Sequence, residues 1–188
     1  MTLYFCVLDF EATCLRDKKI LNQEIIQFPS RLYKWERETL TYVDEFNEYV
    51  KPQQNPILSE FCISLTGIKQ ETVDAADVFK HVMRRHYLWL QHHEALHNVT
   101  FITVGNWDLE TMLPNQLKLV GIRPVKEYCK WLNIKEKFRE FYGYKPGGLS
   151  DMLTYLKMQF IGHPHNGLDD VRNTSRILEK MIVDGARL

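Results

Sequence analysis

The strongest structural signal in the sequence is Tyr4-Phe5-Cys6-Val7-Leu8-Asp9-Phe10-Glu11, a short apolar run that ends on two acids flanking a phenylalanine. Its aromatic and branched residues predict a buried strand over Tyr4–Phe10. Side chains two apart on a strand share a face, so we expect Asp9 and Glu11 to point to one place while Phe10 faces the core. Paired carboxylates suit a hard cation such as Mg²⁺ or Mn²⁺. The alternative is an ordinary surface Asp-x-Glu, which is common.

The composition is that of one ordinary folded domain, which we expect to span residues 1–188. Hydrophobic residues make up 45% of the chain, and 24 Lys and Arg balance 24 Asp and Glu. This balance excludes a protein that holds polyanions by bulk charge, although residues 118–145 alone carry eight basic against three acidic residues. Without a signal peptide, a membrane-length apolar run or paired cysteine motifs, we expect an intracellular protein, cytoplasmic or nuclear, with no membrane partner.

Hydrophobic periodicity predicts a mixed α/β layered domain. Strands over Glu24–Tyr33 and Leu40–Val50 would complete a three-strand meander with the first strand. A short helix would begin after Ser59 as its cap, and a second buried strand would cover Thr100–Val104. Longer helices are predicted over Ala75–Leu96, Asp108–Val120, Leu149–Met158 and Asp169–Val183. The pattern over Tyr128–Ile134 fits a short strand or the start of a helix equally well.

A second acidic motif, Gly105-Asn106-Trp107-Asp108, follows the second buried strand. Ligand sites of α/β sheets gather at strand ends of this kind, so Asp108 is a candidate partner for the first two acids. The alternative is that Asp108 only caps the helix that follows. Trp107 is either a core residue or a platform on which a base stacks.

The third group is His165-Asn166-Gly167-Leu168-Asp169-Asp170. His165 and Asp170 are five residues apart, which on a helix would turn them about 140° away from each other. Pro164 and Gly167 therefore place His165 in a loop and Asp170 in the first turn of the last helix, from where both can face one cleft. Histidine is the residue most easily poised to take a proton near neutral pH. The alternative is a satisfied loop histidine beside an acid that only matches the helix dipole.

Four carboxylates and one histidine are the parts needed for two-metal phosphoryl hydrolysis. The motifs that carry them run in order along nearly the whole chain: Asp9–Cys14, Glu24–Pro29, Phe61–Ile68, Gly105–Asp108 and His163–Asp170. Together they resemble the DEDDh 3′–5′ exonucleases of the Eri1-like subfamily. The resemblance implies a ribonuclease H-like α/β fold, with a mixed five-stranded sheet that includes a three-strand antiparallel meander and is flanked by helices.

The resemblance also implies roles for individual residues. Asp9, Glu11 and Asp170 would hold the catalytic metal, with Asp9 shared between two Mg²⁺ ions that Mn²⁺ can replace. Asp108 would assist as a further ligand, and His165 would be the general base. The contacts to the 3′-terminal nucleotide would come from Thr13, Leu65, Thr66, Trp107 and His163. His163 stands where the family often has arginine.

The implied activity is trimming of RNA 3′ ends or overhangs, with release of nucleoside 5′-monophosphates. Two other functions stay open: a DNA 3′–5′ exonuclease and a catalytically silent RNA-binding adaptor. The sequence identifies no protein partner. A rival motif is His93-Glu94-Ala95-Leu96-His97, which matches the H-E-x-x-H pattern of zinc hydrolases. It lies at a predicted helix end and lacks a convincing third ligand.

Overall fold

A computed structural model describes residues 2–187. Its strands, in chain order, are β1 (Leu3–Leu8), β2 (Glu11–Ala12), β3 (Ile25–Glu36), β4 (Thr39–Lys51), β5 (Asp77–Val78), β6 (Val99–Thr103) and β7 (Trp131–Asn133). Its α-helices are α1 (Glu60–Thr66), α2 (Gln70–Asp74), α3 (Phe79–His92), α4 (Leu113–Leu119), α5 (Ile134–Tyr142), α6 (Leu149–Tyr155) and α7 (Gly167–Val183). A π-helix covers Trp107–Met112 and a 3₁₀ turn covers Lys126–Cys129.

The strands form one mixed sheet in the order β5-β4-β3-β1-β6-β7, and β2 pairs with β3 beside this path. β1, β3 and β4 are antiparallel neighbours, which confirms the predicted meander. β6 lies parallel to β1, and β7 lies parallel to β6. The five longer strands are those of the expected five-stranded sheet, and the two-residue strands β2 and β5 extend it. Because β1 and β6 run in parallel, both end at the same edge of the sheet.

Alternation along β1 divides its side chains between two cores, one on each face of the sheet. Tyr4, Cys6 and Leu8 join the core beneath α3 and α4, whereas Phe5 and Val7 join the core beneath α5, α6 and α7. A strand covered on both faces reads as a continuous apolar run, which is why this segment carries so clear a signal. A third, smaller cluster packs α1 and α2 against β3.

The predicted cap of the first short helix is confirmed by the structure. Ser59 caps α1, because its Oγ accepts a hydrogen bond from the Cys62 backbone N–H at 3.0 Å. The undecided segment contains β7, which is followed at once by α5. No helix within residues 2–187 is long and apolar enough to cross a bilayer. The four cysteines are all free thiols.

Candidate active site

Asp9 and Glu11 lie where the chain leaves β1. Glu11 opens β2 and pairs with Gln27 of β3. Phe10, between the two acids, is buried and packs edge-on against Phe28, with 4.7 Å between the ring centroids. Both acids are half-buried. The phenylalanine therefore packs in the core while the carboxylates lie at the sheet edge, as the alternation predicted.

Asp108 is joined directly to this first motif. It is buried in the first turn of the π-helix, and its Oδ1 accepts a hydrogen bond from the Phe10 backbone N–H at 2.8 Å. The helix N-cap is Asn106, so the alternative of Asp108 as a cap is wrong. The expected α-helix from Asp108 onward is also wrong in its first half, which is π-helical and becomes α-helical only at Leu113. Single π-helical turns occur often at functional sites.

The third motif has the predicted arrangement of loop and helix. Asp170 is buried in the first turn of α7, while His165 is exposed in the preceding loop. Burial raises the pKa of Asp170, and the nearby His165 backbone N–H opposes this effect. His165 has a backbone φ of 65°, a left-handed conformation that non-glycine residues adopt only where their surroundings hold it.

The loop that carries His165 is fastened to α7 by a fully buried asparagine, Asn173. The Asn173 Oδ1 accepts from the Ile161 backbone N–H at 3.1 Å, and its Nδ2 donates to the Ile161 carbonyl at 2.8 Å. Asp169 adds a second link, because its Oδ2 accepts from the His163 backbone N–H at 2.9 Å. The position of His165 therefore depends on two residues of α7 to which the sequence analysis gave no role.

The start of α7 lies directly against the end of β1 at Gly167. A Cβ atom on this residue would be 3.0 Å from the Asp9 carbonyl oxygen and 2.9 Å from Cγ of Pro29. The Gly167 backbone N–H donates to Gln27 Oε1 at 3.1 Å. Absence of a side chain thus allows the close approach that brings Asp170 next to Asp9.

The carboxylates lie close enough to affect one another's ionisation. The pKa of Asp9 is raised well above its ordinary range by burial and then by Asp108, Asp170 and Glu11. The pKa of Glu11 is raised to about 9, again by burial first and then by Asp170 and Asp108. Burial raises the pKa of Asp170 to about 7 and that of Asp108 to about 6, the latter against a hydrogen bond from Phe10. The four groups therefore form one electrostatic site.

The four carboxylates have no positively charged partner within the described part of the chain. Among residues 2–187, none of the four carboxylates forms an ion pair with Lys, Arg or His. Over the same residues, no three His, Cys, Asp or Glu side chains are already arranged as a finished metal-ligand set. Carboxylates that crowd without a counter-charge favour a cation, and their hard oxygens suit a divalent one. The donor chemistry of the site thus fits a divalent metal ion.

The residues expected to contact a nucleotide fall into two groups. The side chains of Trp107 and His163 are exposed, and that of Leu65 is half-buried. Thr13 and Thr66 are buried, and their hydroxyls accept hydrogen bonds from the backbone N–H groups of Glu24 and Ile68. Those bonds measure 3.0 and 3.1 Å, so both hydroxyls already have partners inside the protein.

The rival zinc motif does not form. Helix α3 ends at His92, and Glu94 has a left-handed φ of 58°, so the motif's two histidines do not share a helix face. The His93 Nε2 instead lies 2.9 Å from Oδ2 of Asp44, within hydrogen-bond distance, and His97 is exposed beside Glu127. The zinc-hydrolase alternative is therefore wrong.

Three buried polar residues that shape the site were not predicted. Gln27 positions α7 through the bond described above, and Gln116 Oε1 accepts from the Ile25 backbone N–H at 2.8 Å. The Glu24 carboxylate accepts from three consecutive backbone N–H groups, of residues 53–55, at 2.7–2.8 Å. The available signal was a polar residue within or beside an apolar segment, as in Ile25-Ile26-Gln27-Phe28, because buried polar groups need specific partners.

Comparison with known proteins places this geometry in a family. A family model described as "Exonuclease" matches residues 6–178. Human "ERI1 exoribonuclease 3" is 42% identical over 97% of this chain and 54% of its own length. The nuclease domain of 3′hExo, described as a DEDDh family member bound to rAMP, is 38% identical with a TM-score of 0.92, covering 98% of this chain and 94% of that one. A 3′-exonuclease described with a histone mRNA stem-loop is 36% identical with a TM-score of 0.91, covering 97% and 83%.

The chain spans about half the length of the curated relatives that it matches. The region matched by the family model nevertheless includes all three motifs and every strand of the sheet, the first of them from Cys6 onward. The chain belongs to the exonuclease family, among 3′ exonucleases of the DEDDh kind.

Proposed function

We propose that this chain is a 3′–5′ exoribonuclease that trims single-stranded 3′ ends or overhangs of RNA and releases nucleoside 5′-monophosphates. The observation that carries the proposal is the set of four clustered carboxylates without a counter-charge, beside a loop histidine. The names of the relatives support RNA as the substrate, since they include an exoribonuclease and proteins described with rAMP and with a histone mRNA stem-loop. We assign the activity to a single unit over residues 1–188.

The metal requirement follows from the family and from the donor set. Exonucleases of this family depend on divalent metal ions. We propose two Mg²⁺ ions, with Mn²⁺ as a substitute, held by Asp9, Glu11 and Asp170, with Asp108 as a further ligand. When bound, such ions activate a water molecule and stabilise the leaving oxygen. Asp9 occupies the central place, because the pKa of this residue responds to all three other acids.

The protein's own residues supply positioning and proton transfer. His165 accepts the proton of a water whose oxygen attacks the phosphorus of the last phosphodiester. The bond from that phosphorus to the 3′ oxygen of the preceding nucleotide breaks, so the phosphate leaves on the terminal nucleotide as a 5′-monophosphate. The shortened strand keeps a 3′ hydroxyl, protonated from solvent. The Asp108 Oδ1 accepts a hydrogen bond from the Phe10 backbone N–H at 2.8 Å and so fixes the position of the first motif relative to the second. Trp107 and Leu65 offer apolar surface for the terminal base.

The test is degradation of a 5′-labelled single-stranded RNA by the purified chain with Mg²⁺, with Mn²⁺ and with EDTA. We expect stepwise shortening from the 3′ end with either metal and none with EDTA. Asp9→Asn should lower the rate by more than about 100-fold, because even partners outside the ligand set commonly cost 10–100-fold. Glu136→Gln is the control, since Glu136 is an exposed acid outside the site that makes no ion pair among the described residues, and it should keep the wild-type rate.

The outcomes separate the alternatives. Faster degradation of a DNA strand of the same sequence would replace the proposal by a DNA exonuclease. RNA binding without degradation under either metal would favour the silent adaptor. An Asp9→Asn variant that cuts at the wild-type rate would refute the assignment of the site itself.

A further inference from the structure

A cleft of about 870 Å³ lies beside the carboxylate site without including any of its acids. One wall is the segment after Glu11, from Cys14 to Gln23, and the other runs from Trp107 along the π-helix and α4 to Leu119. Cys14 follows Glu11 by three residues and Trp107 immediately precedes Asp108, so the cleft adjoins the catalytic acids of the first two motifs.

The charge of the cleft has one sign. Its lining includes Lys18, Lys19 and Lys118 and no acidic residue. All three lysines are exposed, and within residues 2–187 none of them forms an ion pair. A smaller depression of about 350 Å³ shares Lys118 and adds Arg123. Unpaired cations along a groove are what a phosphate backbone needs in order to follow it.

We propose that this cleft is a subsite for the phosphates of the single strand that precedes the 3′-terminal nucleotide. This inference rests on the proposed function, and it names the part of the substrate that the carboxylate site does not hold. Trp107, 41% exposed at the cleft's inner end, connects the terminal nucleotide with the strand behind it. Lys18 and Lys19 contact the strand from one wall, and Lys118 contacts it from the other.

The lysines of the cleft compensate for the zero net charge of the chain. The chain has no net charge, so it gains no general attraction for RNA. A groove with three unpaired lysines restores that attraction at one place, next to the reactive end. It also makes the binding of longer strands depend on salt, because each phosphate neutralised by a lysine releases counterions.

The test compares a triple variant, Lys18→Ala with Lys19→Ala and Lys118→Ala, with a control of equal charge change at Lys80, Lys145 and Lys157, which are exposed and lie outside the cleft. Kinetics are measured on a dinucleotide and on a single-stranded RNA of roughly eight nucleotides, at several salt concentrations. For the longer RNA, the triple variant should raise KM about tenfold or more. The slope of log kcat/KM against log salt should fall in magnitude by about 2, that is roughly 0.7 for each lysine. Dinucleotide kinetics should not change.

The failures of the two proposals are distinguishable. If the wild type is active and the triple variant behaves like the control on the longer RNA, the cleft proposal is overturned and the exonuclease proposal stands. If the triple variant slows the dinucleotide equally, the lysines act on the terminal nucleotide and the upstream subsite is again overturned. If the wild type degrades no nucleic acid, the proposed function fails, and RNA affinity measured by fluorescence anisotropy in EDTA still tests the cleft. There, equal affinities of triple variant and control would overturn it.

Discussion

His86 offers a quantitative test of how the core beneath the site is built. Its ring is fully buried and stacks on Phe28, with 4.4 Å between the ring centroids. The His86 Nδ1 lies 2.6 Å from the Tyr128 hydroxyl, and its Nε2 lies 2.9 Å from the Ser30 hydroxyl. Both neighbours are neutral, so nothing compensates a charged imidazole, and burial lowers the pKa of His86 from 6.5 to about 3. The folded protein therefore keeps this histidine neutral.

The sign and size of the pH effect follow from that shift. Because the pKa of His86 is lower in the folded chain than in the unfolded chain, protons bind the unfolded chain preferentially as the pH falls below about 6.5. At about pH 5, protonation of this histidine in the unfolded chain raises the equilibrium constant of unfolding roughly 30-fold over its value at neutral pH. The free energy of unfolding is thereby lowered by about 2 kcal/mol. The raised pKa values of the site carboxylates act in the opposite direction, so the stability curve of the wild type alone does not isolate His86.

The assay is urea unfolding of the wild type and of His86→Gln between about pH 8 and pH 5, with the free energy of unfolding compared at each pH. Glutamine can still make hydrogen bonds but does not titrate, so the carboxylate contribution cancels in the difference. We expect the advantage of the wild type to be constant above about pH 7.5 and to shrink by about 2 kcal/mol at about pH 5. Tyr128→Phe is the control, since it removes one hydrogen bond and should shift stability equally at every pH. A difference between wild type and His86→Gln that stays flat down to about pH 5 would refute the reasoning.

Two further predictions follow from buried polar residues. Asn173→Ala should lower kcat by about 10–100-fold with little change in KM, because it frees the loop that positions His165 and a small displacement of a catalytic group costs that much. Steady-state kinetics measure the effect, and an unchanged kcat would show that the loop keeps its position without Asn173. Glu24→Gln should lower the free energy of unfolding by about 1–3 kcal/mol, because the NH2 group of the new amide, even in its better orientation, would face one of the three backbone N–H donors from which the carboxylate now accepts. Urea unfolding measures the change, and a loss well under about 1 kcal/mol would contradict the inferred geometry.

The fold was predictable where one local sequence pattern persisted along a whole strand or helix. The apolar run of β1, the alternation around Phe10 and the Ser59 cap all have local causes, and each is found in the structure. The π-helix was not predictable, because Asp108–Val120 has the spacing of an ordinary amphipathic helix. Its first turn is set by a contact of Asp108 with a backbone amide 98 residues away, which no local period encodes.

The sequence by itself determined which groups are available: four acids at strand ends or helix starts and a histidine in the loop before the last helix, in a chain whose apolar pattern builds a mixed sheet. Only the tertiary structure decided which of these groups meet. It joined Asp108 to Phe10, brought α7 against Asp9 through the bare backbone of Gly167, and fastened the His165 loop to Asn173. It also separated the two histidines of the zinc-like motif by ending α3 early. The physical reason is that residue type and periodicity act over a few positions, whereas proximity in the site depends on parallel strand ends and buried hydrogen bonds between distant segments.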